Sequence, residues 1–152
     1  INAFTVGERP VSDLMTDRAD IVFLSTAVPV RENLDRIGAS PHTRFPLIGD
    51  DPTEYEGIVY VPAVVDRIDE LQRGEVTFRA IAAPPMTLRA DTPVSDVVNR
   101  FQDEHQELAL VCDDDEGDVV GLVTATDALE AVMGEIEDPL DVDLEARPSD
   151  TS

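Results

Sequence analysis

Apolar residues along the chain switch between a helical and a strand-like spacing, and the whole sequence of switches occurs twice. Val30, Leu34 and Ile37 share one face of a helix, as do Val94, Val97, Val98 and Phe101. Pro29 and Pro93 suit the first turn of each helix, where no backbone donor is lost. A short apolar run follows in each case, Phe45-Pro46-Leu47-Ile48 and Leu108-Ala109-Leu110-Val111, and reads as a strand. An acidic turn comes next: Gly49-Asp50-Asp51-Pro52 in the first half, and Asp113 to Asp118 in the second. A second strand then runs straight into a helix. The first such helix carries Val64, Val65, Ile68 and Leu71 on one face, with Gly74 as its stop; the second carries Leu129, Val132, Met133 and Ile136.

Overlaying the halves at an offset of 64 residues puts Pro29-Val30 on Pro93-Val94, Leu34 on Val98, Arg36 on Arg100, Ile37 on Phe101, and Gly57-Ile58-Val59 on Gly121-Leu122-Val123. The intervening strands match after a one-residue gap. Such a period is too long for a solenoid and predicts a duplicated small domain. The fold class expected is α/β (α+β), with two β-α-β-β-α repeats whose helices pack on one side of a small sheet. The expected boundaries are a lead-in over 1–10, a first repeat over 11–74, a second over 75–138, and a frayed acidic tail over 139–152.

Charge changes the picture most. The 152 residues hold 33 Asp and Glu against 11 basic residues, every one Arg, for a formal charge of -22. The carboxylates are interleaved with apolar residues rather than gathered in one tract, so they read as a solvated surface suited to high salt and a halophilic, archaeal source. That field repels nucleic acid, and no Arg cluster offsets it. No stretch approaches the ~20 apolar residues of a membrane helix. No basic-then-apolar leader opens the chain, and the start at Ile1 is that expected of a fragment. Cys112 is alone within an apolar run and reads as a small buried hydrophobe.

Three segments carry a family likeness. Val11-Ser12-Asp13-Leu14-Met15-Thr16-Asp17-Arg18 is one, and His42-Thr43-Arg44-Phe45-Pro46-Leu47 is the second. The third runs from Gly121-Leu122-Val123-Thr124-Ala125-Thr126-Asp127 through Gly134-Glu135-Ile136-Glu137-Asp138. Together with the duplication, they resemble a tandem CBS-domain pair (Bateman module) of the CorC/CNNM ion-transporter family, over roughly residues 4 to 140. The resemblance implies two CBS repeats packed as a pseudo-two-fold module. It also implies a cleft that binds an adenine nucleotide, ATP or AMP, with Mg²⁺ through the phosphates. The module would be a homodimer on the cytoplasmic face of the cell membrane, controlling a Mg²⁺/Co²⁺-type transport domain of the same parent chain. It would not be an enzyme.

Within that resemblance Thr124 and Asp127 are the sharpest site candidates. A strand ending at Thr124 and a helix starting near Thr126 present hydroxyls, a carboxylate for ribose and a helix N-terminus for phosphate. The same Thr-x-x-Asp spacing also fits plain helix capping. By resemblance, Thr16, Ile21, His42, Thr43, Phe45 and Pro46 form the adenine wall, and Arg44 reaches phosphate. His42 can equally be a surface histidine, Arg44 a surface ion-pair partner, and Phe45 and Ile21 core residues. The first half departs from the pattern, with Tyr60 matching Thr124 and Ala63 matching Asp127, so one competent site is expected. The alternative is a structural dimerisation module that has lost ligand binding. The acidic turn fails the EF-hand template, because Gly117 stands where an oxygen ligand belongs and Asp118 where the turn glycine belongs. His105 has no partner at metal-ligand spacing, and no hydrolase, Walker or Rossmann pattern occurs.

Overall fold

The computed structural model describes residues 8–51, 53–113 and 117–134. Each repeat builds its own sheet. In the first, β2 (Leu24–Ser25), β3 (Arg44–Ile48) and β4 (Tyr55–Tyr60) lie in that order, β2 parallel and β4 antiparallel to β3. In the second, β5 (Met86–Arg89), β6 (Leu108–Cys112) and β7 (Val119–Thr124) repeat the arrangement, and β1 (Thr16–Asp17) adds a fourth strand beside β7. β3 and β6 are central and covered on both faces, which is why they read as near-continuous apolar runs.

The helices that follow the first strands are α1 (Val30–Gly38) and α5 (Val94–Glu104). Pro29 and Pro93 are their N-caps, one position earlier than the first turn expected of them. Arg36 and Arg100, paired by the repeat, do the same work. Each guanidinium donates to a backbone carbonyl of the segment 13 residues upstream, Phe23 at 2.8 Å and Thr87 at 2.9 Å, and each pairs with a glutamate on its own helix. Buried Asn33 adds a tie found in the first repeat: its Oδ1 accepts from the Ser25 N–H at 3.0 Å, and its Nδ2 donates to the Ser25 carbonyl at 2.8 Å.

Three expectations need correction. The strands match at the full 64-residue offset with no gap, because Arg44 pairs with Tyr60 across one hairpin just as Leu108 pairs with Thr124 across the other. The helix after β4 is two pieces, α2 (Val61–Asp66) and α3 (Ile68–Gln72), turning at Arg67. Val64 and Leu71 are buried there, but Val65 is 62% exposed. In the last helix, α6, which opens at residue 125 and is described through 134, the core residue is Ala128, whereas Leu129 and Met133 are exposed. Gly74 does follow α3, in a left-handed conformation with φ 77°. Ile136, the segment 139–152, and the middle of the Asp113 to Asp118 turn lie outside the described residues.

The segment leading into each repeat packs on the other one. Val11 is fully buried among Met86, Leu88, Val97 and Phe101, and β1 pairs Thr16 with Leu122 and Asp17 with Gly121. Beyond α3, a short helix α4 (Phe78–Ile81) buries Phe78 among Leu24, Phe45 and Leu71, and Ala83 then exchanges two 2.9 Å backbone hydrogen bonds with Ile58. Gly57 and Gly121 explain themselves here. A Cβ on Gly57 would lie 2.5 Å from the Ala83 carbonyl, and one on Gly121 2.6 Å from the Thr16 carbonyl. A third cluster, built from Ile58, Leu108, Leu110, Cys112 and Val119 with Phe23, Tyr55 and Leu122 against it, joins the two sheets.

Candidate functional site

Both repeats close the step from strand to helix in the same way. The Val61 N–H donates to the Thr43 carbonyl at 2.8 Å, and the Ala125 N–H to the Glu107 carbonyl at 2.9 Å. Each latch sets the start of a central strand beside the start of a helix. In the second repeat this junction faces the crossing segment β1, and between them lies a cavity of about 330 Å³, within the range of small-ligand sites.

The cavity gathers Thr16, Ile21, His42, Thr43, Arg44, Pro46, Thr124, Thr126 and Asp127 from four separate stretches of chain. Phe45 is the exception among the residues named from sequence. Strand alternation turns it away from the cavity into the first repeat's core, where it is fully buried and meets the His42 ring edge-on at a centroid distance of 6.1 Å. Sequence reasoning missed Asp20, Val22, Glu107, Leu108 and Leu122, which also line the space. The repeat itself held a signal for two of them: at the gapless offset Glu107 falls on Thr43 and Leu108 on Arg44.

Thr124 closes β7 and caps α6. Its Oγ1 accepts from the Asp127 N–H at 3.1 Å, the hydrogen bond that the capping alternative requires. That bond uses the backbone of Asp127 and leaves its exposed carboxylate on the cavity wall. In the first repeat the matching position is Tyr60, which makes no side-chain cap to α2. Its ring instead lies under the Arg44 guanidinium, 4.5 Å from ring centroid to Cζ. Arg44 thus reaches the cavity from a fixed seat. Among the described residues no group of three or more His, Cys, Asp or Glu side chains is placed to hold a metal ion.

A second cavity, about 350 Å³, lies at the far side of the first repeat, where the β2–α1 connection meets residues 74–79. Of its polar side chains, Ser25 Oγ donates to the Gly49 carbonyl, Asn33 is held by Ser25, Thr77 caps α4, and Arg79 pairs with Glu56.

Comparisons with known proteins agree with this geometry. A family model described as the CBS domain matches residues 74–134. The magnesium and cobalt efflux protein CorC of Pasteurella multocida is 32% identical over 136 residues, covering 90% of this chain and 45% of that protein. The chain spans less than half the length of the curated relatives it matches. Among solved structures, the CBS domain of a bacterial CNNM/CorC family Mg²⁺ transporter superposes with a TM-score of 0.76 at 25% identity, covering 88% of this chain and 80% of that one. A CBS-domain pair with bound AMP from Klebsiella pneumoniae gives a TM-score of 0.73 at 26% identity, covering 83% of this chain and 99% of that one. No helix of the described residues is long and apolar enough to cross a membrane. The duplicated fold, the exchanged lead-in segments and these likenesses lead to one assignment: the chain is a tandem CBS-domain pair of the CorC/CNNM type.

Proposed function

We propose that the chain is a regulatory module that binds an adenine nucleotide in the cavity bordered by β1, β7 and the start of α6. The observation that carries this is the convergence there of Thr124, Asp127, Thr16, Thr43 and Arg44. The Asp127 carboxylate accepts from ribose hydroxyls, the threonine hydroxyls meet polar edges of the ligand, and Arg44 faces phosphate, with Mg²⁺ held by the phosphates where it accompanies them. His42 and Ile21 flank the base. The bound AMP of the Klebsiella CBS pair supports the choice of ligand class. The parent protein, by analogy with the CorC relatives, joins this module to a membrane domain that moves Mg²⁺ or Co²⁺, with the module on the cytoplasmic face. Occupancy regulates that domain only to the extent that nucleotide binds two arrangements of the module with different affinity. The module acts as a homodimer and performs no catalysis of its own.

The Thr124 cap favours a second reading, a structural module without ligand, in which Thr124 and Asp127 serve α6 alone. Calorimetry with AMP and ATP at molar salt separates the two. Asp127→Ala removes a charged acceptor, and a hydrogen bond to a charged group is worth roughly 1.5–3 kcal/mol, so affinity falls about ten- to a hundredfold. Because the cap bond uses the Asp127 backbone N–H, the fold loses little. Equal, measurable affinities for wild type and Asp127→Ala would assign Asp127 to local structure, and absence of binding by the wild type would leave the structural module standing.

A further inference from the structure

We infer that the second cavity, between the β2–α1 connection and residues 74–79, is a docking groove for an extended, basic segment of another polypeptide, which adds as a strand to the open edge of residues 26–30. The second repeat shows the chemistry of such an occupant, because there the lead-in runs beside residues 90–94. The Val11 N–H donates to the Thr92 carbonyl at 2.8 Å and the Ser12 N–H to the Ala90 carbonyl at 3.2 Å. The Val94 N–H donates to the Arg9 carbonyl at 2.9 Å, and Pro10 and Pro93 form an antiparallel bridge.

The first repeat keeps one side of this pairing and lacks the other. The Thr26 N–H donates to the Ile48 carbonyl just as the Ala90 N–H does to that of Cys112, so residues 26–30 hold the place of residues 90–94. Phe78 opens α4 and fills the first core, as Val11 opens a 3-10 turn and fills the second. The backbone before Phe78 makes none of the three bonds made around Val11. Among the described residues the Thr26 and Val28 carbonyls accept no hydrogen bond, and the Val30 N–H donates none. The cavity of about 350 Å³ lies between these two sides, with half-buried Val28, Val30 and Val76 on its wall. Two free acceptors and one free donor along an extended backbone match a peptide chain, and the valines take an aliphatic side chain. Arg79 is the one charged residue of the lining and is paired with Glu56, so the sign of the partner is set by the whole chain. Its formal charge of -22 draws basic segments.

The test is amide hydrogen exchange followed by NMR on the full chain. Val30 and Val94 both follow a proline, so their intrinsic exchange rates are alike and the comparison is internal. Without a partner, Val30 should exchange roughly tenfold or more faster than Val94. Equal protection would mean that the chain fills its own groove, and the inference would fall. The probe is an acetylated, amidated peptide with an Arg-Pro-Val-Ser core between lysines. At saturation it should slow Val30 exchange roughly tenfold, shift the resonances of residues 26–30 and 74–79, and leave Val94 unchanged. Its binding should be weaker at about 1 M KCl than at about 0.1 M, as screening removes the attraction. The same peptide N-methylated at its Val and Ser keeps every side chain and charge but loses both backbone donors. It should bind about tenfold or more weakly. Val76→Trp, which fills the groove, should abolish the protection of Val30. The inference is overturned if the peptide leaves Val30 exchange unchanged, if its N-methylated form binds equally well, or if a folded Val76→Trp chain still binds it.

Discussion

Gly121 shows how one missing Cβ sets the site. It lets β1 lie against β7 and so brings Thr16 to the cavity. An added Cβ would lie 2.5 Å from the Met15 sulfur, which can move, and 2.6 Å from the Thr16 carbonyl, which cannot move without displacing β1. Gly121→Ala should therefore cost about 1–3 kcal/mol, the range for overpacking a filled core, measurable by denaturant unfolding. Gly38, the last residue of α1, has nothing within 4 Å of its Cβ direction, so Gly38→Ala should be neutral or slightly stabilising. A third residue-scale prediction concerns Cys112, whose thiol sits beside the Tyr55 hydroxyl where the two sheets meet. Burial pushes the thiol above its ordinary value of 9.0, opposed by the Tyr55 hydrogen bond and assisted by the Asp118 charge; burial likewise raises Tyr55. The folded chain thus keeps protons that the unfolded chain releases. The resulting stability is fully present below the unfolded thiol's value and is lost as pH rises past it. Tm should fall from about pH 8.5 upward, and the fall should be shallower in Cys112→Ala; identical slopes would remove the thiol from the account.

At the scale of elements, what the sequence made legible was whatever repeats. Helical spacing located α1 and α5, apolar runs located β3 and β6, and the paired arginines Arg36 and Arg100 proved to be the same tie between helix and upstream strand made twice. The strand register was misread by one residue because Pro46 and Leu47 resemble Ala109 and Leu110 in polarity as well as Leu110 and Val111, and polarity alone does not fix a pairing. The hairpins do fix it, through Arg44 opposite Tyr60 and Leu108 opposite Thr124. Helix faces after β4 and β7 were misjudged because an apolar residue at helical spacing need not face its own core, as Val65, Leu129 and Met133 show. Most of the candidate site came from motif positions, but Glu107 lies outside any motif and is placed by the latch between its carbonyl and the Ala125 N–H. The crossing of each lead-in segment onto the other repeat had no local signal. It depends on long-range pairing, and only Gly57 and Gly121 hint at it in the sequence.

For the whole molecule, charge and exposed apolar surface oppose each other, and salt decides between them. A formal charge of -22 acts over a Debye length of ~10 Å at 0.1 M salt and ~3 Å at 1 M. Self-repulsion therefore weakens as salt rises, and Tm should climb with KCl from about 0.1 to 2 M; a flat or falling curve would contradict a surface adapted to high salt. The same screening should govern association. Val65 is 62% exposed, Leu129 50% and Met133 48%. Val65 and Leu129 are 64 residues apart, so the repeat places them at equivalent points of α2 and α6. Apolar side chains left in water at two equivalent points suit a symmetric contact with a second copy, since an isologous dimer buries the same patch on both chains. Bringing two such chains together also brings their charges together, so the dimer should tighten with salt as the repulsion is screened, whereas contacts dominated by ion pairs would loosen. Light scattering at micromolar protein should give a dimer at about 1 M KCl and a larger monomer fraction at about 0.1 M. Leu129→Glu places a charge inside the proposed contact and should give monomer at both salts, with circular dichroism unchanged because the side chain faces away from its own core. A wild type that stays monomeric in molar salt, or a Leu129→Glu chain that still dimerises there, would move the contact away from α2 and α6.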